Sequence, residues 1–104
     1  MSDYVISKEI KPFLDEEGRM TALPSKNKKK LYALYYIATK LDPDKQWNEE
    51  LISILLDELT TFHDSATLRR ELFNKRLLNR TDDGKCYWRV KELPDEAEFI
   101  ASHI

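Results

Sequence analysis

Apolar residues recur along this chain with two periods, one helical and one of two residues, and the changes from one to the other mark its elements. Between Lys26 and Leu41, the residues Leu31, Leu34, Tyr35, Ala38 and Leu41 fall on one face at helical spacing. Ser25 precedes them, and its hydroxyl suits an N-cap. Asp42-Pro43 ends the helix, because the residue before proline is pushed out of the helical region. Gln46-Trp47 reads as a brief extended piece. Asn48 then caps a second helix running to Leu59, with an apolar stripe of Leu51, Ile52, Leu55, Leu56 and Leu59. Trp47 and Ile52 stand at hydrophobic-staple spacing around that cap. After the connection Thr60 to His63, Asp64 or Ser65 caps a third helix ending near Lys75, with Leu68 and Leu72 inward.

The period then changes to two. Leu77 to Arg80 and Cys86 to Val90 flank Thr81-Asp82-Asp83-Gly84-Lys85, a β-hairpin turning at Asp83-Gly84. In its second strand Cys86, Trp88 and Val90 share one face and Tyr87 and Arg89 the other; Trp88 is expected on the core side and Cys86 as a buried small apolar residue. Upstream, Phe13-Leu14 and Arg19-Met20-Thr21 enclose an acidic turn with a glycine at Gly18, which suggests a short hairpin or an extended arm. Downstream, Asp95 to Ile104 forms a last helix, with acids in its first turn where the helix dipole favours them and Phe99, Ile100 and Ile104 on its apolar side.

Helix, short strand, helix, tight turn, helix and hairpin is the order of a winged helix-turn-helix. The expected fold class is therefore mainly α within α+β: three core helices, a two-stranded β-hairpin wing and a C-terminal helix. An N-terminal arm takes residues 1–24, the winged-helix domain 25–91 and the tail helix 92–104. Leu34, Ala38, Leu51, Leu55, Leu68, Leu72 and Trp88 are the expected core.

Composition narrows the classes. The chain has 104 residues, 41% hydrophobic and 35% charged, which suits one globular domain and excludes a disordered chain. No apolar run approaches the roughly 18 residues of a membrane span, and the first residues do not read as a signal peptide. With one cysteine, Cys86, no internal disulfide forms, and a cytoplasmic setting is expected. The net charge of −2 is unevenly distributed: residues 1–24 carry −2, residues 25–91 carry +4 and residues 92–104 carry −4.

The basic middle directs attention to the third helix. For double-stranded DNA, that helix must enter the major groove with side chains reaching base edges or phosphates. Thr67, Arg70 and Asn74 lie opposite Leu68 and Leu72, with Arg69 and Arg76 on the flanks. Lys28 and Lys29 open the first helix, where positive charge opposes the dipole and phosphate is a natural partner. Lys85 and Arg89 lie on the wing. Each residue also has a plainer reading: Arg69 pairing with Asp64 or Glu58, the lysines as a solvated run, the wing charges as solubilising groups. Asp82-Asp83 at the wing tip counts against phosphate. A metal site at His63-Asp64 lacks convergent ligands; no nucleophile has a paired base and no glycine loop cradles phosphate. The expectation is thus a DNA-binding, regulator-like protein, not an enzyme, with no metal or cofactor. The alternative is a winged helix used for protein interaction or ligand sensing without DNA contact. A positive strip from Lys28 past Arg70 to Lys85 favours the first; an apolar patch of Tyr32, Tyr36 and Phe73 favours the second. Phe99, Ile100 and Ile104 are the candidate contact for a homodimer.

Three stretches, FLDEEGRMTALPSKNKKKL (Phe13 to Leu31), FHDSATLRREL (Phe62 to Leu72) and LLNRTDDGKCYWRV (Leu77 to Val90), resemble a bacterial family known as domain of unknown function 2087. The resemblance implies a winged-helix-like domain, found alone or attached to modules that include helix-turn-helix regulators similar to the arsenic-repressor group. Such attachment strengthens the interaction-module alternative, since the neighbouring module then binds the DNA. Members often place a glycine after the third helix where this chain has Arg76. Arg76 therefore either adopts a left-handed cap at some cost or lets the helix run on.

Overall fold

The computed structural model describes residues 8–104. After a 3-10 turn at Lys11–Phe13 come α1 (Asn27–Thr39), β1 (Gln46–Trp47), α2 (Glu49–Glu58), α3 (Ser65–Asn74), β2 (Leu78–Arg80), β3 (Tyr87–Arg89) and α4 (Glu96–His103). The strands form one antiparallel sheet in the order β1-β3-β2. Four helices with a small three-stranded sheet make an α+β, winged-helix-like fold. The extended piece at Gln46-Trp47 supplies the third strand, so the hairpin is anchored to the helical core rather than free.

Caps set the helix starts. The Asn48 side chain accepts from Leu51 N–H at 2.8 Å, and Asp64 accepts from Thr67 N–H at 3.4 Å. For α1 the expectation fails: the cap position is Lys26, without a side-chain hydrogen bond. Ser25 lies one residue too early for its hydroxyl to act there. The start of α1 is held by packing, since Leu31, Leu34, Ile37 and Ala38 are fully buried.

The core gathers these residues with Ile52, Leu56, Leu68, Leu72, Leu77 and Leu78. The arm enters it as well. Ile10 and Met20 are buried, and Met20 is pinned to the α2–α3 connection by hydrogen bonds from its N–H to Leu59 O and from Thr61 N–H to its own carbonyl, both 2.9 Å. The acidic turn before it is a short hairpin: Asp15 Oδ1 accepts from Glu17 and Arg19 N–H, and Gly18 takes φ +81°.

Two core expectations are corrected. Leu51 is 49% exposed and Leu55 only half-buried. The stripe of α2 is wider than the surface that covers it, so Ile52 and Leu56 fill the interior and Leu51 is left outside. On β3 the alternation is as expected but the inward face is the other one: Tyr87 is buried and Trp88 half-buried. Register explains this. Cross-strand partners point the same way, Tyr87 sits opposite Trp47, and Trp47 goes into the core beside the start of α2. Arg89 shares that inward face and is accommodated by donating to three carbonyls, of Leu41, Val90 and Lys91, at 3.0–3.3 Å. Cys86, expected buried, is half-buried with its thiol 3.4 Å from Gln46 Oε1.

Candidate nucleic-acid interface

The exposed side of α3 and the adjoining hairpin enclose two neighbouring open depressions. The larger, of about 580 Å³, is lined by Phe73, Asn74, Arg76, Leu78, Asn79 and Val90. The other, of about 380 Å³, is lined by Ala66, Arg69, Arg70, Phe73, Asn74, Arg80 and Tyr87. Phe73 and Asn74 belong to both, so the two form one surface. It carries four arginines and two asparagines and no carboxylate.

The arginines differ in what holds them. Arg69 is committed inward: it donates to Ser53 Oγ at 2.8 Å, lies 3.9 Å from Glu49 Oε2 and stacks over the Tyr87 ring at 5.7 Å. The expectation of a structural ion pair holds, but the partner is Glu49 on α2, not Asp64 or Glu58. Arg80 lies over Phe73 at 4.7 Å and donates to the carbonyls of Thr81 and Asp82. Among the described residues, no side-chain hydrogen bond or ion pair involves Arg70, Asn74 or Arg76. Lys75, by contrast, is paired with Glu71 at 3.4 Å.

Arg76 adopts the left-handed cap. Its φ is +65°; its N–H bonds to Phe73 O at 3.0 Å and Leu77 N–H bonds to Leu72 O at 2.9 Å. That is a Schellman ending built without glycine. It turns the chain sharply, buries Leu77 and Leu78, and leaves the Arg76 side chain exposed at the rim of the larger depression.

Of the remaining expected contact residues, Thr67 is half-buried in the first turn of α3. Lys85 is exposed at the wing tip, where its N–H bonds to Asp83 Oδ1. Arg89 lines a separate depression with Trp88 and Lys91. Lys28 and Lys29 are exposed at the start of α1, and Lys29 lines another depression with Leu23, Pro24 and Ser25. The structure therefore brings Arg69, Arg70, Asn74 and Arg76 together and leaves Lys28, Lys29, Thr67, Lys85 and Arg89 outside this lining. Phe73, Asn79 and Tyr87 also line the surface; of these, Asn79 was not among the sequence candidates, because only the pairing of β2 with β3 carries it beside α3.

Asp83, counted against DNA at the wing tip, has a local role. It accepts from Thr81 Oγ1 at 2.7 Å and from Lys85 N–H at 3.0 Å. The Thr81 hydrogen bond is the main reason its pKa lies below the ordinary 3.8. Gly84 closes that turn at φ +72°. His63 takes φ +51° in the connection before α3. Among the described residues, no group of three or more His, Cys, Asp or Glu is placed to hold a metal ion, and no helix is long and apolar enough to cross a membrane.

No curated protein and no solved structure matches the chain. A family model does, over residues 19–89, a span that runs from the arm through α3 to the end of β3 and includes the four arginines and two asparagines of the surface. On that match the chain belongs to the domain of unknown function 2087 family, described as an uncharacterized protein conserved in bacteria.

Proposed function

We propose that this is a cytoplasmic double-stranded-DNA-binding protein of regulator type, with α3 as the helix that enters the major groove. The observation that carries the reading is the surface along α3 and the hairpin: four arginines, two asparagines and no carboxylate, in a chain whose total charge is negative. Nucleic-acid affinity depends on local rather than total charge, and the net negative charge lies in the tail and the arm while residues 25–91 carry a net positive one. Arg70 and Asn74 are exposed and unspent within the chain, as base-edge or phosphate contacts require.

A second reading has its own observation. Leu51 and Ile54 on α2 are 49% and 47% exposed, which supports a protein partner on that helix. Of the apolar patch Tyr32, Tyr36 and Phe73, Tyr32 and Phe73 are half-buried. Tyr36 is buried with its hydroxyl on Gly18 O at 2.8 Å, and Phe73 is covered by Arg80.

The test is an electrophoretic shift on duplex DNA at two salt concentrations, with wild type, Arg70→Ala and Lys29→Ala. Arg70→Ala is expected to lose about 1–3 kcal/mol of affinity. Lys29→Ala is expected to weaken binding evenly across sequences and to flatten the salt dependence by about one unit. Absence of wild-type binding to any duplex at low salt ends the DNA reading. Leu51→Asp then tests the partner reading, through loss of a complex that Arg70→Ala leaves intact.

A further inference from the structure

We infer that Arg70 and Asn74 act as a pair that reads a G·C and an A·T base pair one or two steps apart. The inference rests on the DNA reading above and specifies what that surface recognises.

Most charged groups along α3 and the adjoining hairpin are already held within the chain. Arg69 is held by Ser53, Glu49 and Tyr87, Lys75 by Glu71, and Arg80 by Phe73 and two carbonyls. Arg70 and Asn74 are exposed, line the same depression, and have no side-chain hydrogen bond among the described residues. They are four residues apart, so they lie on one face of the helix, about 6 Å apart along its axis. Base pairs stack at about 3.4 Å, so a helix lying in the groove sets these two side chains over positions one or two steps apart.

The chemistry of each side chain then limits the base. Guanidinium offers a fork of donors that matches the two acceptors of guanine, O6 and N7. The asparagine amide offers one donor and one acceptor, which match N7 and N6–H of adenine. A guanine presents no donor there for the amide oxygen, and an adenine presents no second acceptor for the arginine. Arg69 and Arg80, immobilised against Tyr87 and Phe73, serve as phosphate contacts or as walls and carry no base preference, and Arg76, past the end of α3 at the rim, is placed for phosphate.

The experiment is selection of bound duplexes from a randomised DNA library by the full chain, at low salt, with wild type, Arg70→Ala and Asn74→Ala. Circular dichroism checks folding; both residues are exposed, so neither substitution touches the core. Wild type is expected to enrich duplexes holding a G and an A one or two positions apart. Arg70→Ala should lose the preference at the G and keep it at the A, and Asn74→Ala the reverse. On a duplex carrying the selected site, each variant should lose about tenfold in discrimination at its own position. Wild-type binding with no base preference, or a preference that both variants keep, overturns this inference and leaves the DNA reading standing. No wild-type binding to any duplex overturns both.

Discussion

Arg76 holds a backbone conformation that glycine adopts without cost and a side chain with Cβ does not. At φ +65° the strain is on the order of 1–3 kcal/mol, and glycine gives back about 0.5–1 kcal/mol in unfolded-chain entropy. Arg76→Gly is therefore expected to stabilise the fold by about 1 kcal/mol, read as a higher urea midpoint with an unchanged slope. A lower midpoint would show that the Arg76 side chain makes a stabilising contact that outweighs the strain. Under the DNA reading the same substitution removes a cation from the rim and weakens binding, so the strain has a functional counterpart. Asp83 shows a residue-scale effect of pH. Its folded pKa is depressed, so its contribution to stability is present above the unfolded value near 3.8 and is lost as pH falls through the folded one. Asp83→Ala is expected to lower the melting temperature at pH 6, with the gap to wild type closing as pH falls below about 3.8. A gap that stays constant down to pH 2 would mean that the carboxylate charge plays no part in the turn.

At the scale of elements, α3 is fixed by two devices of different strength. Leu68 and Leu72 are fully buried, and Leu72→Ala should cost about 2–5 kcal/mol. Arg69 ties α3 to α2 through Ser53 and Glu49 and covers Tyr87 on the sheet. Arg69→Ala is expected to lower stability by about 1–2 kcal/mol, whereas Arg70→Ala, one residue away and unpaired, should leave the urea midpoint unchanged. Equal loss in the two variants would refute this division. Element identity and order were legible because the 3.6-residue stripes and the caps Asn48 and Asp64 depend only on local sequence. The face of each element was less legible where it depends on a partner distant in the chain. Trp88 and Tyr87 alternate correctly in sequence, but which one points inward is decided by the pairing of β3 with Trp47, some forty positions away. Leu51 belongs to a good helical stripe, yet nothing in that stripe tells how much of it α3 and the sheet cover. The candidate surface was legible on α3, in that Arg69, Arg70, Asn74 and Arg76 do line one surface. It was not legible at Asn79 on the hairpin, which joins it only through the fold.

For the molecule as a whole, the tail decides how much of the apolar surface stays inside one chain. Phe99 and Ile100 are buried, with Phe99 against Tyr35 at 5.6 Å and His103 at 4.6 Å between ring centroids. The approach is fixed by Tyr35, which donates to Pro94 O at 2.6 Å, and by Asn27, which donates to His103 O at 3.4 Å. Two of the three side chains first considered for a dimer contact are thus occupied within the chain, and of those three only Ile104 is exposed, at 74%. One isoleucine contributes little of the roughly 800 Å² per partner that a standard interface buries. A chain ending at Leu93 is therefore expected to lose stability, because it uncovers Tyr35 and the side of α1 beneath α4. Phe99→Ala alone should cost about 3–5 kcal/mol. Truncation confuses folding with assembly, and Ile104→Asp separates them, since it adds charge at an exposed position and leaves the core intact. Wild type and Ile104→Asp are expected to melt alike and to sediment alike at tens of micromolar. A wild-type dimer that Ile104→Asp dissociates would instead place an interface at the tip of α4, with the acidic tail carried at the centre of the assembly.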